Sequence, residues 1–226
     1  MPVYNNAIMQ PSLIAQVIEG LKLEYGKPKW TLRPDAMGVL VQTILSQNTS
    51  DTNSDKAFAS IRKAFKNWDA VARAPIDTIA ISIQHGGLAQ VKAGYIKDSL
   101  NAIKERHGDL NLDFLKQMQI DRARDWLLRL PGIGLKTANC VLLFSLGMPA
   151  LPVDTHIHRV SRRLGLILDI SAAKAHAELE KVVPLKEVYA FHILMIEHGR
   201  KRCSARRPDC AHCILSSICQ SRRISA

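Results

Sequence analysis

The sequence predicts an all-α protein, and three observations predict it. Apolar residues recur at close to 3.6 spacing along most of the 226 residues. The alternating Val-, Ile- and aromatic-rich segments that mark strands are missing. Glycine and proline fall at the ends of the periodic segments rather than inside them, as in Gly26-Lys27-Pro28 and His107-Gly108.

Taken in order, the first helix is predicted over 8–25, with Ile14, Val17, Ile18, Leu21 and Leu23 on its apolar face. After Pro34, the positions Met37, Leu40, Val41, Ile44 and Leu45 follow the i, i+3, i+4, i+7, i+8 pattern of a core-facing helix, which the polar run from Ser46 to Asp51 breaks. A further helix begins near Thr49 or Ser50 and turns Ala57, Phe58, Ile61 and Phe65 inward; short helices follow near 68–74 and 76–84. Gly86-Gly87-Leu88 interrupts the pattern before a longer helix over 89–107, read with Val91, Tyr95, Ile96, Leu100 and Ile103 on its apolar face. Helices over 120–130 and 135–146 flank Pro131-Gly132-Ile133-Gly134 and make a helix-hairpin-helix. Leu151-Pro152 marks a crossing point in the chain, with helices near 155–165, 171–182 and 186–200 beyond it. Neither an internal repeat nor a low-complexity linker is present.

The formal charge is +11. Residues 1–119 hold 14 Lys/Arg against 11 Asp/Glu and residues 120–226 hold 17 against 9, so the excess is concentrated in the second half. A balance of that size suits a polyanion bound through phosphate contacts and counterion release, as well as a plain solvated basic surface. The opening Met-Pro-Val-Tyr-Asn-Asn lacks the basic, apolar, small-residue order of a secretory signal, and no run of eighteen apolar residues exists. The expectation is a cytoplasmic protein of a prokaryote with no membrane partner.

Four of the five cysteines, Cys203, Cys210, Cys213 and Cys219, follow a C-x6-C-x2-C-x5-C pattern among Arg200, Lys201, Arg202, Arg206 and Arg207. Four thiolates in so short a loop suit a structural zinc ion or a [4Fe-4S] cluster; zinc modules usually pair two short knuckles, and only one short pair is present. Cys140, between apolar neighbours, reads as a small core residue.

Other residues carry two readings each. The two glycines of Gly132-Ile133-Gly134 can adopt positive φ and bring the backbone close to a ligand, with peptide N–H groups at a helix start able to hold phosphate. Lys136 stands in the first turn of the following helix and reads by itself as a solvated helix-start lysine, or, because the macrodipole there disfavours a cation and makes it a poor place for a lysine of purely structural use, as a reactive amine. Nucleophilic work there needs the neutral amine. Asp154 reads equally as a helix N-cap and as a catalytic carboxylate. Gln47 and Asn48 read as loop residues or as amides that fill a gap in a distorted duplex, and Leu88 as a core residue or an apolar wedge between base pairs. His156 and His158 lack neighbours that would complete a metal site.

The run Leu130-Pro131-Gly132-Ile133-Gly134-Leu135-Lys136-Thr137-Ala138-Asn139, then Val153-Asp154-Thr155-His156, then His198-Gly199-Arg200, then the four-cysteine loop, resembles the endonuclease III family of helix-hairpin-helix DNA glycosylases. The resemblance runs from about Ile44 to Cys219 and rests on four motifs in matching order. It implies two helical lobes, a six-helix barrel over 29–148 holding the hairpin, and a lobe joining 1–28 to 149–226. It implies a [4Fe-4S] cluster on the four cysteines, Lys136 as catalytic nucleophile and Asp154 as catalytic carboxylate. Gln47, Asn48, Leu88, Gly132, Gly134, Arg202 and Arg206 would contact DNA.

The activity implied is base-excision repair by a monomer: a damaged, oxidised pyrimidine is flipped out of double-stranded DNA and removed through a lysine Schiff base, and the abasic site is then cleaved by β-elimination. Two departures concern substrate. The family commonly has Gln where this chain has Asn48, and the neighbours of Leu88, Ala89-Gln90, differ from its pattern. Relatives without lyase activity lack the lysine, and the adenine-specific ones add a domain after the cluster; retention of Lys136 and a sequence ending seven residues after Cys219 both favour the bifunctional enzyme. Compatible alternatives are the same fold acting on uracil or mismatched thymine, and a non-catalytic binder of bent or damaged DNA.

Overall fold

The structure is a computed structural model and describes residues 11–224; the predicted start of the first helix at 8–10 lies outside them. Its helices are α1 (Pro11–Tyr25), α2 (Ala36–Leu45), α3 (Asp51–Ala64), α4 (Trp68–Arg73), α5 (Ile76–Ser82), α6 (Ala89–His107), α7 (Ile120–Leu128), α8 (Leu135–Phe144), α9 (Thr155–Leu164), α10 (Ala172–Val182), α11 (Val188–Lys201) and α12 (Gln220–Ile224). Short 3-10 turns at Gln84–Gly86, Asp113–Gln117 and Leu185–Glu187, and α12 itself, are too brief for periodicity to reveal. Among the described residues there is no strand, and no helix is long and apolar enough to cross a membrane. The all-α expectation holds.

The chain divides into two compact units. One spans Leu32–Met148, and the other takes the residues up to Thr31 and those from Pro149 onward. In the Leu32–Met148 unit α2 is the central element, packed against α3, α6 and α8. Its burial goes beyond the predicted stripe, since Gly38, Val39 and Thr43 are buried along with Met37, Leu40, Val41, Ile44 and Leu45. A helix buried on nearly every side must satisfy its own polar groups, and the Thr43 hydroxyl does so by donating to the Val39 carbonyl at 2.7 Å. Asp35 caps α2 by accepting from the Gly38 amide at 2.7 Å, and the Trp68 indole N–H reaches the same carboxylate at 3.0 Å. One side chain thereby starts α2 and ties α4 to it.

The face of α6 differs from the predicted one. Val91 and Tyr95 are 50% and 37% exposed, while Lys92, Ala93, Ile96, Ser99, Leu100 and Ile103 are buried. A reading that assigns lysine to solvent rotates the apolar stripe by about one residue, because the buried position at 92 is occupied by a cation. Leu23, read as part of the α1 face, is 82% exposed for the simpler reason that it lies off the Ile14, Val17, Ile18, Leu21 stripe.

In the other unit, α11 packs on α1 and α9, and α9 also meets α10 and α12. The contact of α11 with α9 is close at Gly199, where a Cβ would lie 3.0 Å from His156 Cβ. Trp30 stacks on Tyr189 with ring centroids 5.7 Å apart. Tyr25 is half-buried, and burial, helped by the charge of Glu24, pushes its phenol up to about 12, so it remains an O–H donor.

Asp35→Ala removes both the α2 cap and the acceptor for Trp68. It is expected to lower stability by about 1–2 kcal/mol, with Asp35→Asn costing less because it can still cap. The shift of the urea midpoint measures both.

Candidate active site

The hairpin between α7 and α8 is built by satisfying backbone groups from neighbouring elements. The Ser99 hydroxyl of α6 donates to the Pro131 carbonyl at 2.7 Å, and the Gln47 amide donates to the Gly132 carbonyl at 3.1 Å. Ile133 is buried and pins the turn to the core. Below it, buried Asn139 of α8 accepts from Arg124 Nε of α7 at 2.8 Å, and Arg124 also pairs with Asp121 at 2.7 Å, which locks the two helices together. With its carbonyls held from the protein side, the hairpin leaves the first turn of α8 without a side-chain cap.

The two hairpin glycines are not equivalent, contrary to the reading that both serve positive φ. Gly132 has φ +72, and a Cβ there would lie 2.4 Å from the Cγ of Tyr95. Gly134 is the N-cap of α8 with φ −99, and a Cβ there would meet nothing within 4 Å. Gly132 is demanded by the fold, whereas nothing inside the protein demands Gly134. Its lack of a side chain keeps open the approach to the uncapped helix start.

Lys136, the second residue of α8, is half-buried, and its Nζ lies 3.5 Å from the Ser46 hydroxyl. Ser46 is the C-cap of α2, so the polar run after α2 approaches the amine directly. Within that run Gln47 and Asn48 part ways. Gln47 is engaged with the hairpin, while Asn48 sits in left-handed backbone at φ +51. Leu88 is also left-handed, at φ +50, and caps the start of α6 with its side chain 59% exposed. The core reading of Leu88 therefore fails, because the Gly87-Leu88 turn directs it outward.

Asp154 lies in the other unit as the N-cap of α9, one carboxylate oxygen accepting from the Ile157 amide at 2.8 Å. The capping role uses one of its two oxygens. The segment leading into it is held on several sides. The Val153 amide donates to His176 Nε2 at 3.0 Å, the Leu151 amide donates to Glu180 at 2.9 Å, and the Pro152 carbonyl lies 2.9 Å from His192 Nδ1.

Cys203, Cys210, Cys213 and Cys219 line one cavity of about 490 Å³ together with Arg163, Leu164 and His198. All four are free thiols. Burial pushes the Cys213 thiol up, against a hydrogen bond from the Leu215 backbone, and the charges of Cys203, Cys219 and Cys210 add to the push. The first cysteine arm is gripped from α9. Arg159 donates to the Cys203 carbonyl at 3.0 Å and to the Gly199 carbonyl at 2.8 Å, and Arg163 donates to the Cys203 sulfur at 3.3 Å and to the Ser204 carbonyl at 2.6 Å. Buried His198 is pushed down to about 4 by desolvation and stays neutral. Its Nδ1 lies 3.2 Å from the Tyr25 hydroxyl and its Nε2 3.7 Å from the Cys213 sulfur. Among the described residues no three His, Cys, Asp or Glu side chains are gathered tightly enough to hold a metal ion.

Arg202 pairs with Asp209 at 2.8 Å and with Glu24 at 3.4 Å, and these partners raise its pKa further. Arg206 is exposed on the loop whose backbone Arg163 holds. His156 lies beside Arg159, and His158 Nε2 is 2.7 Å from the Ile170 carbonyl. Ser46, Lys92, Ser99, Arg159, Arg163 and His176 escaped the sequence reading. Ser46 meets the Lys136 side chain and the others act on backbone groups, all brought close only by tertiary packing; Lys92 alone left a trace, a lysine in register with Ile96, Leu100 and Ile103.

The chain is thus a helix-hairpin-helix protein with a half-buried lysine at an uncapped helix start, and its other unit carries an aspartate that caps α9 and a cavity lined by four cysteines. Residues 41–185 match the HhH-GPD superfamily base excision DNA repair protein family, and the chain belongs to it. Among its relatives is endonuclease III of Thermotoga maritima, 32% identical over 92% of this chain and 94% of that one. Endonuclease III of Sulfolobus acidocaldarius is 34% identical over 82% of each. An Arabidopsis thaliana relative, 36% identical over 162 residues, is matched over 55% of its own length. A trapped covalent endonuclease III–DNA intermediate superposes with a TM-score of 0.80 at 27% identity, covering 96% of this chain and 98% of that one.

Gly132→Ala and Gly134→Ala are expected to behave oppositely. The first forces strained backbone and a collision with the base of the Tyr95 side chain, and costs about 2 kcal/mol or more. The second leaves the melting temperature unchanged and weakens duplex DNA binding. Thermal melting and fluorescence anisotropy on the same samples separate the two.

Proposed function

We propose that the protein is a DNA glycosylase with abasic-site lyase activity that removes oxidised pyrimidines from double-stranded DNA. The observation that carries this reading is Lys136 at the uncapped start of α8 directly after a hairpin whose carbonyls are already held, in a chain of the HhH-GPD superfamily with endonuclease III relatives over most of its length.

The amides of the hairpin and of the first turn of α8 hold a backbone phosphate, aided by the helix dipole, and position the strand without reading sequence. The neutral amine of Lys136 attacks C1′ of the nucleotide. The new C–N bond forms as the glycosidic bond breaks, and the base leaves with the bonding electrons and gains a proton. The Asp154 carboxylate stabilises positive charge developing on the sugar, and its fixed place at the N-cap of α9 means no reorganisation is needed at that moment. The nitrogen, having given up its extra proton, then pushes its lone pair toward C1′ as the C1′–O4′ bond breaks, O4′ takes the bonding pair and a proton, and the sugar ring opens; the C1′ iminium so formed makes the C2′ proton acidic, and loss of that proton expels the 3′ phosphate. Asn48 is the residue that fills the vacated stack, because Gln47 is committed to the Gly132 carbonyl, and exposed Leu88 is the wedge. Of the two arginines, Arg206 meets the DNA backbone, while Arg202 orders the loop through Asp209 and Glu24.

Cys203, Cys210, Cys213 and Cys219 are the residues that would hold a [4Fe-4S] cluster. The fit rests on donor chemistry, four free thiols around a single cavity with the Arg163 guanidinium and His198 Nε2 beside two of their sulfurs, while the thiols are not drawn together tightly enough for a single ion. When bound, the cluster supplies four iron–thiolate bonds that order the basic loop. Protein purified without oxygen is expected to be brown, with iron and sulfide in equal amounts; zinc with no colour would overturn this assignment.

Sodium borohydride with a duplex carrying an abasic site is expected to trap a covalent adduct that Lys136→Ala abolishes. Absence of any adduct with the wild-type protein sinks the enzyme reading and leaves a damage binder. Asp154→Asn keeps a capping oxygen and loses the charge, so the melting temperature is expected to hold while single-turnover excision slows by about a hundredfold. A panel of oxidised pyrimidines, uracil and mismatched thymine then tests the lesion class, with preference for either of the last two overturning it.

A further inference from the structure

Lys92 is a lysine that the mechanism above does not use, and it is among the most deeply buried large side chains, 2% exposed. Both hydrogen-bond partners of its ammonium are main-chain carbonyls, Leu45 and Gly86, each at 2.7 Å. Burial pushes its pKa down. A cation in such a place costs desolvation that a methionine of similar reach would avoid, so its charge and its donors answer a need that packing alone does not set.

The two carbonyls identify that need. Leu45 is the last residue of α2, where the negative end of the helix dipole favours a cation, and the chain continues from it through Ser46 and Gln47 to Asn48. Gly86 ends the 3-10 turn from which the chain continues through Gly87 to Leu88. Asn48 and Leu88 are the non-glycine residues with positive φ among those described, at +51 and +50. Left-handed backbone costs each of them energy and persists only where the surroundings leave no alternative. A single ammonium grips the anchors of both strained turns at once and sets the distance between them.

We infer that Lys92 is a positioning residue for base extrusion, holding the Asn48 and Leu88 turns at a fixed separation so that both side chains enter the DNA stack together. This rests on the roles proposed for those two residues. Opening a base pair in duplex DNA requires both turns in register, whereas cleavage at an abasic site in single-stranded DNA requires neither.

The test is a double-mutant cycle between Lys92→Met and Leu88→Ala, read on two substrates. Lys92→Met is expected to slow single-turnover excision from a duplex about tenfold or more, and to slow cleavage of a single-stranded abasic site less than about threefold. In a Leu88→Ala background the additional loss on duplex DNA is expected to shrink to less than about threefold, because the wedge that Lys92 positions is already gone. Equal losses on the two substrates, no loss on either, or losses that multiply in the double variant would overturn the inference and leave Lys92 a merely structural residue. Should Met at 92 fail to fold, Lys92→Gln, whose amide keeps a donor for one carbonyl, carries the same cycle with the same outcomes. The wild-type borohydride adduct is the separate control: its absence refutes the enzyme reading itself, before any variant is compared.

Discussion

The constraint on which the rest of this structure depends is that buried backbone polar groups must find partners. An all-helical protein places its functional residues on the connections between helices, and each connection arrives with amides and carbonyls that no helix satisfies. Here side chains from neighbouring elements meet them. Lys92 takes the carbonyls of Leu45 and Gly86, Ser99 and Gln47 take those of Pro131 and Gly132, and Arg159 and Arg163 take those of residues 203–205. His176, Glu180 and His192 do the same for the segment leading into Asp154. Each such bond contributes only about 1 kcal/mol net, but leaving its partner buried and unpaired costs more, so the loops have few alternatives to the observed path.

This arrangement reconciles mobility with chemistry. Loops are where reactive groups can reach a substrate, yet a nucleophile misplaced by an ångström loses much of its rate. Fastening the carbonyl side of the hairpin to the protein leaves its amide side and the start of α8 for a ligand. Asp154 follows the same economy, since the oxygen that accepts from Ile157 fixes the side chain and leaves the second oxygen for the role proposed for it. The structural and catalytic readings of that residue describe one geometry.

Much of the fold was legible in the residues because helix periodicity and its punctuation are local. The bounds of α6 agree to the residue with the predicted 89–107, and those of α4, α5, α9 and α10 to within two. Errors arose where a residue's environment contradicts its type. Lys92 is a buried cation and rotated the inferred face of α6; Leu88 is an exposed leucine, and its type alone left the core and wedge readings both open. The equivalence assumed for Gly132 and Gly134 failed because a glycine pair in sequence does not say which member takes positive φ. That depends on Tyr95, which α6 brings against the hairpin.

By itself, the sequence determined the all-α class, the hairpin, the four-cysteine loop, and the pair Lys136 and Asp154 as the residues to examine, because spacing along a helix or a short loop is a property of neighbours in the chain. Only the tertiary structure decided that Gln47 is committed to Gly132 and Asn48 is not, that Leu88 faces outward, that Arg202 is paired with Asp209, and that a buried lysine joins the two strained turns. Each of these depends on which carbonyl or carboxylate lies within about 3 Å of a side chain, and that distance is set by elements remote from one another in the chain.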